Sequence, residues 1–376
     1  MSTFAVRAAN AADNAGLLRL LGVPQPSKGV QLAFERAPDY FHSAGVMHED
    51  LDVLVAERES DGAIVGMGSM GWRDLYVNGE RQRVRYAADL RVAEECQGTR
   101  LILYMNRGVR ERIGDVGWYQ SVILEENERS RQTLEGSRAG LPVYRPHVGI
   151  ETWTMTGRRH RATGTSALAT RTATAADIPA MNAFVQSLAA HYQFLPAYDF
   201  SALALSTVAA SEQASANPYY KGLTLDDFLL VSDANGLRGL VGLWNQKAFK
   251  QTRIVGYHPL LAFARPLYNV WARLFGGLIL PPQGGVLDYQ VLHSPLTRPD
   301  DREAFDALLD AAWDSPRRRD GAALVLTLSD PDPRCAAMAR FRALSLRGRH
   351  YLVAFNEAAH PVLEPERIPY FECGRL

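Results

Sequence analysis

Apolar and polar positions change period along the chain, and the changes mark out its elements. Phe4 to Arg7 has strand character, and Asn10 to Asp13 supplies capping side chains for a helix over Asn14 to Leu21. Leu51 to Glu57, rich in Val and Leu, reads as a strand. Asp61-Gly62 is a turn, Ala63 to Trp72 the returning strand, Asn78-Gly79 a second turn, and Arg83 to Val92 a third strand. The period then moves from two to 3.6. Leu101, Tyr104, Met105 and Val109 share one face of a helix over Leu101 to Ile113. Trp118 to Leu124 is a strand, Glu128 to Arg138 a helix stopped by Gly140-Leu141-Pro142, and Val148 to Met155 a last strand.

Gly157 to Thr165 carries no apolar period, and after it the opening pattern recurs. Ala167 to Arg171 is a strand, Ile178 to His191 a helix, Asp227 to Ser232 and Gly239 to Trp244 two strands around the turn Asn235-Gly236. A repeated order of elements with little residue identity predicts two similar domains, 1–157 and 166–376, joined by a linker at 158–165. In the second, Val286 to Leu292 and Ala322 to Leu328 are expected strands, Cys335 to Leu344 a helix, and Tyr351 to Phe355 the last strand. An apolar insert occupies 251–285. There Leu267, Val270, Trp271 and Leu274 fall at i, i+3, i+4 and i+7, an amphipathic helix expected to cover something. A protein interior, an apolar substrate and a membrane surface are the three openings.

Composition narrows the function. At 376 residues and 47% hydrophobic content, the chain has material for two soluble cores. Lys+Arg and Asp+Glu both number 41, so no global field draws nucleic acid. Cys96, Cys335 and Cys373 form no CxxC pair, and the histidines show no ligand spacing, so no metal is expected. An odd number of thiols suits a reducing compartment. Met1 to Arg7 lacks a basic region followed by an apolar run, and Tyr257 to Pro282 is broken by Pro259, Arg265, Pro266 and Arg273. The expectation is a cytoplasmic protein with no spanning segment; a homodimer stays open.

The order strand, helix, hairpin, long strand, glycine turn, helix, strand, helix, strand resembles the GNAT superfamily of acyl-CoA-dependent N-acyltransferases. The resemblance is most specific at Leu90-Arg91-Val92-Ala93-Glu94-Glu95-Cys96-Gln97-Gly98-Thr99-Arg100-Leu101-Ile102. In that family a strand leads through Arg/Gln-x-x-Gly-x-Gly/Ala into a helix, and backbone N–H groups there bind the coenzyme A pyrophosphate. Unpaired N–H groups and the positive end of a helix dipole favour an anion. Gln97 and Gly98 match; Arg100 and Ile102 replace the later small residues. Asn127 to Leu134 resembles Asn-x-x-Ala-x-x-x-Tyr, with Asn127 and Ser130 at the helix start and Leu134 in place of the Tyr that protonates the leaving thiolate.

The resemblance implies a mixed, mostly antiparallel α/β sheet flanked by helices, twice in tandem. The second copy is expected to be degenerate, because Ser294 to Pro299 lacks the glycine turn. It implies acetyl-CoA or another acyl-CoA as co-substrate, and an amine of a small molecule or peptide as acceptor. Leu90, Arg91, Val92, Gln97, Gly98, Thr99, Arg100, Leu101, Ile102, Asn127 and Ser130 would touch the coenzyme. On the residues alone, the turn also reads as an ordinary strand-to-helix connection and Asn127 as a plain cap.

Transfer from a thioester to an amine needs a base, a polarised carbonyl, an acid for the thiolate, and alignment. Asp89 is the candidate base, with an ion pair to Arg85 or Arg91 as its other reading. Tyr86 is a candidate acid or a core residue, and Glu126 a cleft residue or a solvated one. The alternative function is a non-catalytic acyl-CoA or metabolite-binding protein, which Arg100, Ile102 and Leu134 favour.

Overall fold

A computed structural model describes residues 4–24, 30–136, 139–159, 168–203, 218–275, 277–319 and 322–376. The linker expected at 158–165 falls largely outside them; the strand expected over Ala167 to Arg171 is described from residue 168 and is present as Ala169–Thr172.

The first half runs β1 (Phe4–Ala8), α1 (Asn14–Leu21), β2 (Val30–Glu35), α2 (Tyr40–Ala44), β3 (Leu51–Arg58), β4 (Ala63–Val77), β5 (Glu80–Val92), α3 (Leu101–Ile113), β6 (Trp118–Leu124), α4 (Glu128–Glu135) and β7 (Val143–Arg158). The second continues with β8 (Ala169–Thr172), α5 (Ile178–Leu188), the two-residue strands β9 (Tyr192–Gln193) and β10 (Leu195–Pro196), β11 (Phe228–Asp233), β12 (Gly236–Trp244), β13 (Gln251–Tyr257) and α6 (Pro259–Phe275). It closes with β14 (Tyr289–Thr297), α7 (Arg302–Asp314), β15 (Ala323–Ser329), β16 (Phe341–Ala354) and β17 (Ile368–Pro369).

One 13-stranded, mostly antiparallel sheet spans the molecule in the order β1-β3-β4-β5-β6-β16-β7-β15-β14-β12-β11-β8, with β10 on β4. Burial along β4 alternates from Gly68 to Val77, as a strand with one covered face requires. The helices cover the faces. α3 lies so close to the first strands that a Cβ at Gly108 would sit 3.0 Å from Val6 Cγ1. That spacing fixes the helix over the sheet and makes Gly108 a packing residue.

The two halves exchange their last strands. β7 pairs with β16 from end to end, Val143 opposite Ala354 and Arg158 opposite Phe341. The Gly348–Ala354 stretch of β16 completes the first half by pairing with β6. The Ile150–Met155 stretch of β7 completes the second by pairing with β15. Each half is closed by a strand of the other. The region expected as a helix from Cys335 is a short 3-10 turn, Pro333–Arg340, that gives way to β16. Phe341 to Leu344 pair with β7, opposite Arg158 to Thr154, and Phe341 is buried, which decides for the strand over local helix propensity.

The insert is also partly corrected. Gln251–Tyr257 forms a two-stranded ribbon with β2 of the first half, tied by Arg253 to Glu35 at 2.8 Å. The expected amphipathic helix is present as α6, but among the described residues its apolar face covers nothing: Phe263 is 90% exposed and Leu267 77%.

Candidate active site

Strands β5 and β6 run parallel, and they pair only from Arg85–Tyr119 to Ala87–Ser121. Beyond Ala87 they part. The departure coincides with a bulge in the β4–β5 pairing between Met67 and Ser69 and with a left-handed Asp89, φ +55°. Such a bulge adds a residue to one strand and turns its edge away from the neighbour. Ala88, Arg91 and Val92 thus keep pairing with β4 on either side of the bulged Asp89 and Leu90, while the other edge of this stretch faces a gap. Leu90, Arg91 and Val92 line that open edge.

At the end of β5 the chain turns through Glu94–Cys96 into α3. Gly98 takes φ +79° with nothing within 4 Å of where a Cβ would stand. Thr99 Oγ1 accepts from the Leu101 N–H at 3.3 Å, and Arg100, the N-cap, gives no side-chain cap. The N–H groups of Gly98, Arg100 and Ile102 make no hydrogen bond within the described residues. Three free donors beside an open glycine at a helix N-terminus suit a diphosphate. Arg100 is exposed and Ile102 half-buried, so neither side chain closes the turn. Leu101 is fully buried in the core, and its N–H is the one Thr99 Oγ1 accepts. Gln97 lies back toward the strand, its Nε2 3.5 Å from the Val92 carbonyl.

The other expected residues divide. Asn127 Oδ1 accepts from the Ser130 N–H at 3.2 Å, the contact of a plain N-cap. Leu134 is buried against Ile113, Tyr119 and Ile123. Glu126 is exposed in the turn after β6 and lines no part of the cavity described below. Arg107 and Arg110 are occupied at the surface by Glu111 and Asp115. Cys96 is buried, and burial raises its thiol above the ordinary range, opposite to a reactive thiolate.

Asp89 is ion-paired, with a partner the sequence reading did not name. Arg36 Nε approaches it at 2.8 Å and the Tyr40 hydroxyl donates at 3.2 Å. Burial alone would raise its pKa; the attraction of Arg36 outweighs it, and Asp89 stays below the usual carboxylate range. A carboxylate so held is a weak base and a strong anchor.

Tyr86 stands one residue before β5 and β6 part, opposite Gln120. Its ring is covered by the Arg73 guanidinium, 3.6 Å from the ring centre, and burial raises its hydroxyl above the ordinary range. Arg73 itself is pushed down to about 10 by burial. Both line a cavity of about 20 Å³ between the two halves, with Gln120, Phe194, Tyr219 and Glu372. That is room for a water molecule and no acyl group. Gln120 is 3% exposed, and its Nε2 has no partner among the described residues. A buried donor left over beside a cavity marks a place for a polar ligand or water. Gln120, Arg73 and Glu372 carry no motif and were missed; nothing in their local sequence sets them apart.

The second half repeats the device. β14 and β15 pair only from Tyr289–Ala323 to Val291–Val325, and Ser294, φ +45°, stands at the matching bulge. There the gap is filled. Glu372 Oε2 accepts from the Ser294 N–H at 2.7 Å and from the Tyr198 hydroxyl at 2.6 Å, while Ser329 Oγ donates to the Pro369 carbonyl at 2.7 Å. The segment from Pro369 to Arg375 therefore bridges both edges. The following helix is closed as well: Asp301 caps α7 at the Ala304 N–H, 3.0 Å, and is held by Arg238 at 2.7 Å. A carboxylate in that position repels a phosphate.

A mostly antiparallel sheet in which two parallel strands part beside a bulge, with a helix after the parting strand, is the GNAT fold, and both halves of the chain carry it, the first helix uncapped by any side chain and the second capped by Asp301. No protein-family model matches the chain and no curated sequence does. Solved structures do. A GCN5-related N-acetyltransferase from Sphaerobacter thermophilus aligns over 97% of this chain and 98% of its own, at TM-score 0.56 and 12% identity. N-myristoyltransferase from Saccharomyces cerevisiae, solved with myristoyl-CoA bound, aligns over 98% of this chain and 86% of its own, at TM-score 0.56 and 12% identity. At such identity the likeness establishes the fold. Among the described residues no cluster of three or more His, Cys, Asp or Glu side chains is placed to hold a metal, and no helix is long and apolar enough to cross a membrane.

Proposed function

We propose that the protein transfers an acyl group from an acyl-CoA to an amine, using the gap of the first half alone. The observation behind this reading is the contrast between the two gaps. One presents an unpaired strand edge and three free N–H groups; the other is filled by Glu372 and capped by Asp301. The Gly98 turn takes the pyrophosphate and the edge of Leu90 to Val92 lines up the pantetheine arm. The thioester then lies at the bulge, next to Tyr86.

The amine attacks the carbonyl carbon, the nitrogen gives up its surplus proton to water, the C–S bond breaks, and the thiolate takes a proton from Tyr86, whose phenolate water then reprotonates. Tyr86 is the donor: its raised pKa keeps the hydroxyl protonated at neutral pH, and it stands at the closed end of the gap. Gln120 orients the acceptor from the cavity through its free amide. Asp89 keeps its charge and fixes Arg36, acting as a positioning residue. Coenzyme release would leave one free thiol per amide formed.

A thermal-shift series with free, acetyl-, malonyl- and long-chain coenzyme A tests the binding half of this reading. Specific binding at a hundredfold excess over Kd adds about 2.7 kcal/mol. The acyl form that shifts the melt is then assayed for thiol release with amine panels. No shift with any form sinks the proposal. A shift without thiol release moves the protein to a sensor on the same scaffold.

A further inference from the structure

α6 carries a continuous outward stripe: Leu260, Phe263, Leu267, Val270, Trp271, Leu274 and Phe275 are 46 to 90% exposed. Only Ala272 of the helix is buried. The stripe does not face outward for want of anchoring. Asn269 exchanges two hydrogen bonds with Leu280, donating to its carbonyl at 2.8 Å and accepting from its N–H at 2.9 Å. The Tyr257 hydroxyl donates to the Pro281 carbonyl at 2.6 Å. Rolling the helix to hide its apolar face would break these contacts. The outward orientation is built in.

Charge identifies what the face meets. From Lys247 to Leu287 the sequence holds no Asp or Glu, and it holds five basic residues. Lys247 and Arg253 are paired with Asp288 and Glu35. Arg265 and Arg273 have no carboxylate partner among the described residues, and Arg273 is exposed at the margin of the stripe. Arg342 reaches the carbonyl of Phe275 and lies 6.0 Å from the Trp271 ring. A helix with Trp, Phe and Leu on one side, in a segment that holds cations and no carboxylate of its own, matches a surface that is apolar inside and anionic at its rim. A second copy fits less well. A two-fold interface sets the same patch against itself, so arginines that lack a carboxylate partner would meet arginines.

We propose that the outward face of α6 docks on an anionic lipid bilayer, seating the protein in the interface without spanning it. The helix is 17 residues long, so the stripe extends about 25 Å along the membrane plane at 1.5 Å per residue.

Co-sedimentation of the full chain with phosphatidylcholine vesicles, with and without 30% phosphatidylglycerol, tests this. The wild type should bind the anionic vesicles at least tenfold more tightly than the neutral ones. Joint Phe263→Asp and Leu267→Asp replacement should weaken that binding at least tenfold with the melting temperature unchanged, since both side chains point into solvent. Arg273→Glu should weaken binding to the anionic vesicles alone. Wild type that binds neither vesicle overturns the proposal, as does a double variant that binds like wild type. So does a dimer, seen by analytical ultracentrifugation, that the double variant dissolves: the face then belongs to a second copy.

Discussion

Asp89 illustrates how a residue's place and its role separate. Its position on the strand was legible from sequence; its partner was not, because Arg36 is 53 residues away and reaches it only through the fold. Replacing Asp89 by Asn leaves a buried guanidinium without its counter-charge, which costs about 3 kcal/mol or more. Denaturant unfolding should register that loss, and coenzyme affinity measured on the folded fraction should change little. Tyr86→Phe separates differently. It keeps the ring under Arg73 and removes the proton donor, so kcat should fall about a hundredfold while KM for the coenzyme stays the same. If Tyr86 is the acid, the wild-type rate also falls as pH rises through its raised pKa, and the Phe variant loses that limb. Unchanged kcat would return Tyr86 to the core. Gln120 and Glu372 were invisible to sequence reading for the same reason as Arg36. Each acts through a contact that no local pattern encodes.

The elements were legible where one period ruled them. β3, β4, β5, α3 and β6 follow from alternation, hairpin signals and a helical face. The ribbon of β2 and β13 was not read, because a short two-stranded pair carries little pattern of its own. β16 was read as helix over Phe341 to Leu344, since the pairing of that stretch with β7 is a tertiary fact. The glycine turn belongs at this scale. Gly98→Val meets no steric obstacle, yet a β-branched residue at φ +79° costs about 1–2 kcal/mol and shifts the backbone donors. Calorimetry should find coenzyme binding weakened about tenfold or more, with a small loss of melting temperature. β7 and β16 also share a titrating pair: the Nδ1 atoms of His147 and His350 are 3.0 Å apart. Burial pushes His147 down to about 4 and His350 well below its usual value. Between pH 6.5 and about 4 the unfolded chain binds a proton that native His147 refuses. Stability is therefore lost as pH falls through this window, by about 3 kcal/mol from His147 at 1.36 kcal/mol per unit. In His147→Gln the acid limb of stability against pH should flatten by that amount.

At the scale of the whole molecule, the repeat of two halves could be read from element order, but the exchange of their last strands could not. Either pairing of β7 and β16 satisfies the same alternation, and only the assembled sheet distinguishes them. A fragment of residues 1–157 should accordingly fail to show a cooperative thermal transition, whereas the full chain should melt in one step. A fragment that melts cooperatively and binds the coenzyme would contradict the exchange. There is a consequence for synthesis. β6 has left the ribosome long before its neighbour at residues 341–354 exists. At 5–20 residues per second the edges of β6 and β7 wait on the order of ten seconds or more. During that time they are open strand edges of a kind that invites pairing with other chains. Biogenesis of this protein should therefore depend on holding chaperones. A ribosome that stalls between the two strands should release a chain in which neither half is finished.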